Sequence, residues 1–218
     1  LGNHDANKAQ DLQLLNRLAQ IPNVVLLQPT WSTWNAVELH GIRISGFNDP
    51  RWFGDDATRT AAKQEPAITA YENAFADLPV PDLLVSHEPT AVRGLEAGVL
   101  VNGHIHTADL EGNRIQLGTF SGGGPFTHFV ETQDGSELIG QPSAFDVLAF
   151  GEDCRALTLT RYQFQDVLEG RPAYDSVILV NGARIDTRPP QEDRQCGPAA
   201  GLTTELVTAP EDQAATLP

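Results

Sequence analysis

The sequence predicts an α/β domain in which helices flank a layered core of strands. Two observations carry this prediction. The first half of the chain alternates helical segments with short apolar runs, and the second half consists of short alternating segments separated by Gly, Asn, Asp or Pro. The first pattern is typical of helices packed on a sheet, and the second indicates half-buried strands joined by turns. The chain has 218 residues, of which 40% are hydrophobic, so it can bury one core of ordinary size.

The first half of the chain is predicted to contain three helices and five strands. The helices occupy residues 5–20, residues 57–78 and a short stretch after Pro89, and the strands occupy residues 24–27, 35–39, 42–45, 82–86 and 99–102. Leu12, Leu15 and Leu18 give the first helix an apolar stripe at helical spacing. A His40-Gly41 turn is expected to join the second and third strands.

The second half of the chain is predicted to be rich in strands and to end in a tail. Its alternating segments are residues 114–117, 127–131, 145–150, 156–161 and 176–180. From Arg188 onwards the chain contains few apolar residues and shows no period. We therefore expect one domain over residues 1–187 and a disordered tail over residues 188–218.

The charge of the chain excludes two classes of partner. Lys and Arg number 14 and Asp and Glu number 29, which gives a formal net charge of -15. Proteins that bind nucleic acid or an anionic membrane surface normally carry a basic face, so neither partner is expected. No apolar run is long enough to span a bilayer, and no signal peptide is visible in the sequence.

The sequence leaves the location of the protein and the state of its cysteines open. The chain contains no Met, not even at position 1. We therefore expect it to be a piece of a longer gene product, whose upstream part could hold a membrane anchor or an export signal. Cys154 and Cys196 are too few for a disulfide scaffold or a cysteine zinc site, and whether they pair is undecided.

Histidines precede the first predicted helix and follow two predicted strands. The three motifs are Gly2-Asn3-His4-Asp5, Ser86-His87 and Gly103-His104-Ile105-His106. Because polar residues at the carboxyl ends of successive strands meet at one edge of an open sheet, we expect these side chains to lie together. The two imidazoles of the last motif could serve two metal ions about 3.5–4 Å apart, and imidazole suits Zn, Fe, Ni or Mn more than calcium.

Each motif by itself also has a structural interpretation. Residues 2–5 could be a helix cap after a turn, and His87 could be a packed histidine at the end of a strand. The occurrence of all three motifs in this order favours a functional site over three separate structural features.

The three motifs together resemble the later part of the signature of the calcineurin-like metallophosphoesterase superfamily. In that family a Gly-Asn-His-Asp/Glu motif is followed by a strand-end His and then by Gly-His-x-His. The resemblance covers residues 1–119 and implies a layered metallophosphoesterase-like β-sandwich flanked by helices. It also implies a metal-dependent enzyme that hydrolyses phosphoric ester bonds, and the acidic surface favours a small phosphoester substrate.

The resemblance implies a dinuclear metal centre made of four residues of this chain. Asn3, His87 and His104 would ligate one ion, and His106 would ligate the other. The two cofactors would be divalent transition-metal ions, with Mn, Fe, Zn and Ni all compatible with these ligands.

The resemblance also assigns catalytic roles within the first motif. His4 would lie beside the scissile phosphoester as general acid or charge stabiliser, and Asp5 would orient it. A non-catalytic interaction module on the same fold is the alternative, because fold does not imply function. Retention of His4 and of the four ligand-type residues favours the enzyme, since a scaffold has no physical need for them.

The chain departs from the family pattern in its carboxylates. It contains no Asp-x-His motif, and Gly54-Asp55-Asp56 follows the first motif where the family places a related block before it, so we interpret those residues as a loop. The four predicted ligands are neutral and do not offset two dications. We therefore expect an upstream segment to supply the missing strands and carboxylates, and residues 1–218 alone to be inactive.

Two loops have alternative interpretations. Residues 118–125 could cradle a phosphate through backbone N–H groups or could form a tight turn into the next strand. Arg51, in the loop of residues 46–56, could face an anionic substrate or could belong to an ordinary surface loop.

Overall fold

The computed structural model describes most of the chain. The described residues are 1–5, 11, 13–51, 60–120, 129–131, 134–140, 142–164, 176–191 and 193–209. They form a mixed α/β structure with one seven-stranded sheet, one three-stranded sheet, one two-stranded sheet and few helices. The predicted α/β class is therefore confirmed at this level.

The strands are β1 (Thr33–Leu39), β2 (Ile42–Gly46), β3 (Leu83–Ser86), β4 (Val99–Asn102), β5 (Asp109–Glu111), β6 (Arg114–Gln116), β7 (Phe129–Glu131), β8 (Leu138–Gly140), β9 (Ser143–Phe150), β10 (Ala156–Phe164), β11 (Ser176–Asn181) and β12 (Leu202–Thr208). The α-helices are α1 (Gln13–Leu18), α2 (Thr60–Phe75) and α3 (Pro89–Val92). Single 3-10 turns occupy Gly182–Arg184 and Pro198–Ala200. Among the described residues, no helix combines the length and the hydrophobicity needed to cross a membrane.

The large sheet brings several strand ends to one edge. Its order is β12-β1-β2-β3-β4-β6-β5, and the four neighbours β2, β3, β4 and β6 run parallel. The remaining pairs, β12 with β1, β1 with β2 and β5 with β6, are antiparallel. Parallel neighbours place their carboxyl ends side by side, so the residues after β2, β3 and β4 meet at one edge of the sheet.

Alternate residues of the large sheet pack into two separate cores. In β4, Leu100 packs with Leu84 and Tyr71 on the face covered by α2 and α3. The preceding residue, Val99, packs with Leu159 of β10 on the opposite face. Because successive side chains of a strand point to opposite faces, the sheet lies between a helical layer and the three-stranded sheet β11-β10-β9.

The predicted hairpin after residue 35 is confirmed. β1 pairs with β2 in antiparallel register, with Val37 opposite Ile44. The connecting residues His40 and Gly41 have φ values of 54° and 87°. Two consecutive left-handed residues are what a tight hairpin turn requires, and glycine adopts this conformation at little cost.

Two amino-terminal predictions are wrong in part. Residues 24–27 do not form a strand. Instead, Asn35 donates to Leu26 O through its side-chain amide (2.7 Å) and to Leu27 O through its backbone N–H (2.8 Å). The predicted helix over residues 5–20 is observed as α1 over Gln13–Leu18, with Leu15 buried. Asp5 lies in a turn, and residues 6–10 and 12 lie outside the described part of the chain.

The predicted disorder of residues 188–218 is wrong for the segment that forms β12. This strand pairs with β1 over seven residues, from Thr33 opposite Thr208 to Leu39 opposite Leu202. All its residues except Val207 are exposed, which explains why composition suggested disorder. The strand is held by ladder hydrogen bonds, and Cys154 and Cys196 form a disulfide just before it. Residues 210–218 lie outside the described part.

A buried ionic network also fixes the chain before β12. We call it the Asp82 cluster; its members are Asp82, Asp186, Arg188 and Arg194. Arg188 donates to Asp82 at 2.9 Å and to Asp186 at 2.7 Å, and Arg194 donates to Asp82 at 2.6 Å. Burial raises the pKa of Asp186, but the hydrogen bonds and charge of Arg188 outweigh it and hold that pKa below its usual value. The negative charges of the two carboxylates are therefore cancelled by the positive charges of the two guanidinium groups.

Candidate metal centre

Three segments meet at the carboxyl edge of the parallel strands. They are the amino-terminal turn, the residues directly after β3 and those directly after β4. The turn approaches His87 so closely that a Cβ on Gly2 would lie 2.8 Å from the imidazole ring, so only glycine fits there. His104 and His106 have φ values of 70° and 65°, a strained conformation for residues other than glycine.

This convergence places three predicted ligands in direct contact. His87 Nε2 lies 2.9 Å from Asn3 Oδ1 and 3.2 Å from His104 Nδ1. The two imidazole rings are nearly perpendicular, with centroids 5.0 Å apart and an interplanar angle of 72°. We call these three side chains the donor cluster. The structure thus brings together Asn3, His87 and His104, which the sequence placed on three separate motifs.

The side chains of the donor cluster do not carry enough hydrogens to make a full hydrogen bond at each of their two contacts. A neutral imidazole carries one N–H, and the amide oxygen of Asn3 only accepts. If His87 Nε2 is protonated, its single proton must be shared between Asn3 Oδ1 and His104 Nδ1. If it is not protonated, its lone pair faces the lone pairs of Asn3 Oδ1. In either tautomer one contact lacks a proton of its own. At least one lone pair at these two contacts is therefore left without a hydrogen.

The surroundings keep both histidines of the cluster neutral. Burial lowers the pKa of His87 to about 4, with the charges of His104 and Arg51 acting in the same direction. Burial also lowers the pKa of His104, although Glu88 opposes it, and the charge of His4 adds to the lowering. Neutral imidazole is the form that ligates a metal ion.

His4 and Asp5 occupy the turn beside the donor cluster. His4 is exposed and lies near enough to influence the titration of His104. Asp5 accepts a hydrogen bond from Gly2 N at 2.7 Å, and its own N–H donates to Gly2 O at 3.2 Å. The carboxylate of Asp5 therefore closes the turn that carries Asn3 and His4.

A second ionic network lies directly behind the donor cluster. We call it the Asp49 cluster; its members are Asp49, Arg51 and Glu88, all nearly fully buried. Arg51 Nη2 contacts Asp49 Oδ2 at 2.6 Å and Glu88 Oε2 at 2.7 Å. Glu88 Oε2 also lies 3.4 Å from His104 Nε2. The sequence left open whether Arg51 faces a substrate or belongs to a surface loop; in the structure its side chain forms buried ion pairs with Asp49 and Glu88.

The Asp49 cluster carries a net negative charge toward the neutral donors. Burial raises the pKa of Asp49, but hydrogen bonds and charge from Arg51, together with a hydrogen bond from Gln64, hold it below its usual value. Two carboxylates against one guanidinium leave one negative charge on these three side chains. Sequence reasoning missed Glu88 as a site residue, although Glu88 directly follows His87.

The donor cluster fits one transition-metal ion. Metal–nitrogen and metal–oxygen bonds of about 2.0–2.2 Å place neighbouring ligand atoms roughly 2.8–3.6 Å apart, from octahedral to tetrahedral geometry. The observed separations of 2.9 and 3.2 Å agree with this spacing. A metal-bound imidazole usually donates its other N–H to a carboxylate, and Glu88 stands at that position for His104.

The remaining predicted features are less fully defined. Within the described ranges, no three Cys, His, Asp or Glu side chains form a metal-binding group; the donor cluster has two histidines and an amide. The backbone carbonyl of His106 accepts from Thr119 N at 3.0 Å. The loop of Gly54-Asp55-Asp56 and residues 121–125 of the glycine-rich segment lie outside the described part. A second ion on His106 stays a prediction.

Comparison with protein-family models, curated proteins and solved structures found no match to this chain.

Proposed function

We propose that this chain carries part of the centre of a metal-dependent phosphoesterase with a metallophosphoesterase-like sandwich fold. The observation that carries the proposal is the donor cluster, in which His87 Nε2 lies at ligand spacing from both Asn3 Oδ1 and His104 Nδ1. These atoms would hold one divalent ion such as Mn, Fe, Zn or Ni. His106 would hold the second ion, on the strength of the motif resemblance.

The reaction would be hydrolysis of a small phosphoric ester. Bound divalent ions polarise a phosphoryl oxygen and lower the pKa of a bound water. Water adds to phosphorus, the ester P–O bond breaks, and the leaving oxygen takes a proton. His4 is the exposed side chain beside the cluster that could donate this proton or stabilise the departing charge. The Asp5 carboxylate, bonded to Gly2 N, holds the turn that presents His4.

Glu88 would keep His104 ready to bind the metal. Its carboxylate faces His104 Nε2 and so favours the tautomer that carries its proton there. The lone pair of Nδ1 is then directed at the donor cluster. Since Arg51 neutralises only one of the two carboxylates behind the cluster, a cation in front of it is favoured electrostatically.

A second ion needs more negative charge than this chain supplies at the cluster. The three donors are neutral, and the Asp49 cluster contributes one net negative charge against four positive charges from two dications. We therefore propose that carboxylates from an upstream segment complete the centre, and that residues 1–218 by themselves hold two ions poorly.

The test uses substitutions at two histidines that share a backbone conformation. His104 and His40 have φ values of 70° and 54°, and asparagine tolerates this region. In the full-length protein, His104→Asn should weaken binding of Mn²⁺ or Zn²⁺ at least tenfold by calorimetry and abolish hydrolysis of an aryl phosphoester. The matched control His40→Asn should change neither. Unchanged metal affinity in His104→Asn would refute the proposal.

His4→Ala separates catalysis from metal binding. Since His4 is proposed to act on the leaving group, its loss should lower the catalytic rate by roughly 10²–10⁴-fold while metal affinity persists. Loss of bound metal in this variant would show that His4 is a ligand.

A non-catalytic interaction module is the alternative function, and a different observation favours it. The strand β11 lies at the edge of the three-stranded sheet and exposes Val177 and Leu179 to 55% and 70%. Exposed apolar edge strands are common sites of pairing with another chain. Partner binding that is indifferent to metal and to His104→Asn would favour this alternative.

A further inference from the structure

An apolar cavity of about 410 Å³ lies directly beside the donor cluster. It is bordered by α1, by the segment of residues 25–28 and by the carboxyl ends of β3 and β4. Its apolar wall includes Leu15, Val25, Leu27, Phe47, Val101 and Leu117. His87 also lines the cavity, so the cavity and the donor cluster share this residue.

The polar side chains of this wall are already bonded within the protein. Gln28 accepts from Asn48 N at 2.6 Å and donates to Trp31 O at 3.3 Å, and Asn48 donates to Gln28 O at 3.0 Å. Asn102 accepts from Arg114 at 3.0 Å and donates to Gly103 O at 3.0 Å. None of the described lining residues is Asp, Glu, Lys or Arg. The cavity therefore offers little to a polar or charged group such as a sugar or a nucleobase.

Ser86 is the exception in this wall. It precedes His87, its side chain is buried, and its Oγ has no hydrogen-bond partner among the described residues. A buried hydroxyl without a partner costs free energy. Along the chain, Ser86 lies between Val85 of the cavity wall and His87 of the donor cluster.

We propose that the cavity binds the alcohol portion of the substrate, and that this portion is an uncharged hydrocarbon or aryl group. The inference rests on the proposed phosphoesterase function and names its substrate class: an amphiphilic phosphoester whose phosphoryl group meets the donor cluster. Burial of hydrocarbon supplies the affinity.

Two series of ligands test this on the full-length protein with Mn²⁺ present: n-alkyl phosphonates from methyl to octyl, and the matching n-alkanols. Affinity by calorimetry should rise about fourfold for each methylene in both series until the cavity is full. Each phosphonate should bind more tightly than its alkanol. A nucleoside monophosphate should bind no more tightly than methylphosphonate.

Matched variants locate the effect in the cavity. Val25 and Leu117 are each 37% exposed, so Val25→Asp and Leu117→Asp place a charge in the wall without opening the core. Both should abolish the gain per methylene. Val147→Asp, at a 50% exposed position on the three-stranded sheet, should leave it intact.

The outcomes separate this inference from the proposed function. Phosphonates that bind without any gain along the series would overturn the substrate class and leave the phosphoesterase standing. If affinity rises along both series but each phosphonate binds no more tightly than its alkanol, the phosphoester assignment would be overturned. No gain in either series would mean that something else, such as a polypeptide segment, fills the cavity, and the inference would be withdrawn.

Discussion

The Asp82 cluster and the Asp49 cluster are both buried ionic networks, but they differ in charge balance. In the first, Asp82 and Asp186 meet Arg188 and Arg194, so the charges cancel. In the second, a single guanidinium faces two carboxylates. A network whose charges cancel needs no additional ion, and its ion pairs hold one part of the chain against another. An unbalanced network behind neutral donors favours an added cation.

The neighbours of the two clusters support this distinction. Next to the Asp82 cluster, the polar groups are engaged in holding the chain that leads to β12, with Arg194 also donating to Gly41 O at 2.6 Å. Next to the Asp49 cluster, His87 Nε2 contacts both Asn3 Oδ1 and His104 Nδ1, and a single proton on His87 cannot serve both contacts fully. The net negative charge of the Asp49 cluster and the incompletely hydrogen-bonded atoms of the donor cluster occur together at one edge of the sheet. For this reason we propose that the site lies there.

The largest effect is expected on the free energy of unfolding, from a substitution that breaks the Asp82 cluster. Asp82→Asn leaves Arg188 and Arg194 with one carboxylate between them, and removal of one partner from a buried ionic network typically costs about 3–5 kcal/mol. Urea denaturation should show this loss, whereas Asp77→Asn at an exposed position should change the free energy of unfolding little. Metal affinity, measured under folding conditions, should remain. An Asp82→Asn protein as stable as the wild type would contradict a structural role for this cluster.

A smaller and different effect is expected in the unbalanced cluster. Glu88→Gln removes the leftover negative charge and the carboxylate that faces His104 Nε2, so metal affinity should fall about 10–100-fold. Calorimetry with Mn²⁺ or Zn²⁺ measures this, and Glu65→Gln at an exposed helix position is the control. Nitrogen-15 spectra should show loss of the Nε2–H tautomer of His104 in the variant. If affinity and tautomer were both unchanged, Glu88 would not position that ligand.

The smallest expected effect is a change in acid sensitivity. The folded pKa of Asp186 lies below its ordinary value of 3.8, so its stabilising contribution is present above that value and is lost as pH falls through the folded pKa. Free energies of unfolding measured from pH 5 downward should therefore decline less steeply in Asp186→Asn than in the wild type. Equal slopes would show that the Asp186 carboxylate does not carry this dependence.

Local sequence patterns predicted much of the fold near the site. The apolar runs around Leu84 and Leu100 predicted β3 and β4 because a short buried strand needs only its own residues to be recognised. The two motifs that follow these strands then had to meet, since the strands are parallel neighbours. Residues 24–27 show the limit of this reasoning, because their apolar run pairs with no strand of the described ranges and accepts hydrogen bonds from Asn35.

What the sequence by itself determined is the identity and local setting of the donors: Asn3 in a tight turn, and His87 and His104 just past strand ends. What only the tertiary structure decided is everything that depends on distant partners. Arg51 and Glu88 are 37 residues apart, Cys154 and Cys196 are 42 apart, and β12 pairs with a strand from the opposite end of the chain. A periodic pattern reports burial along one element, whereas the pairing of charges, thiols and edge strands depends on the path of the folded chain.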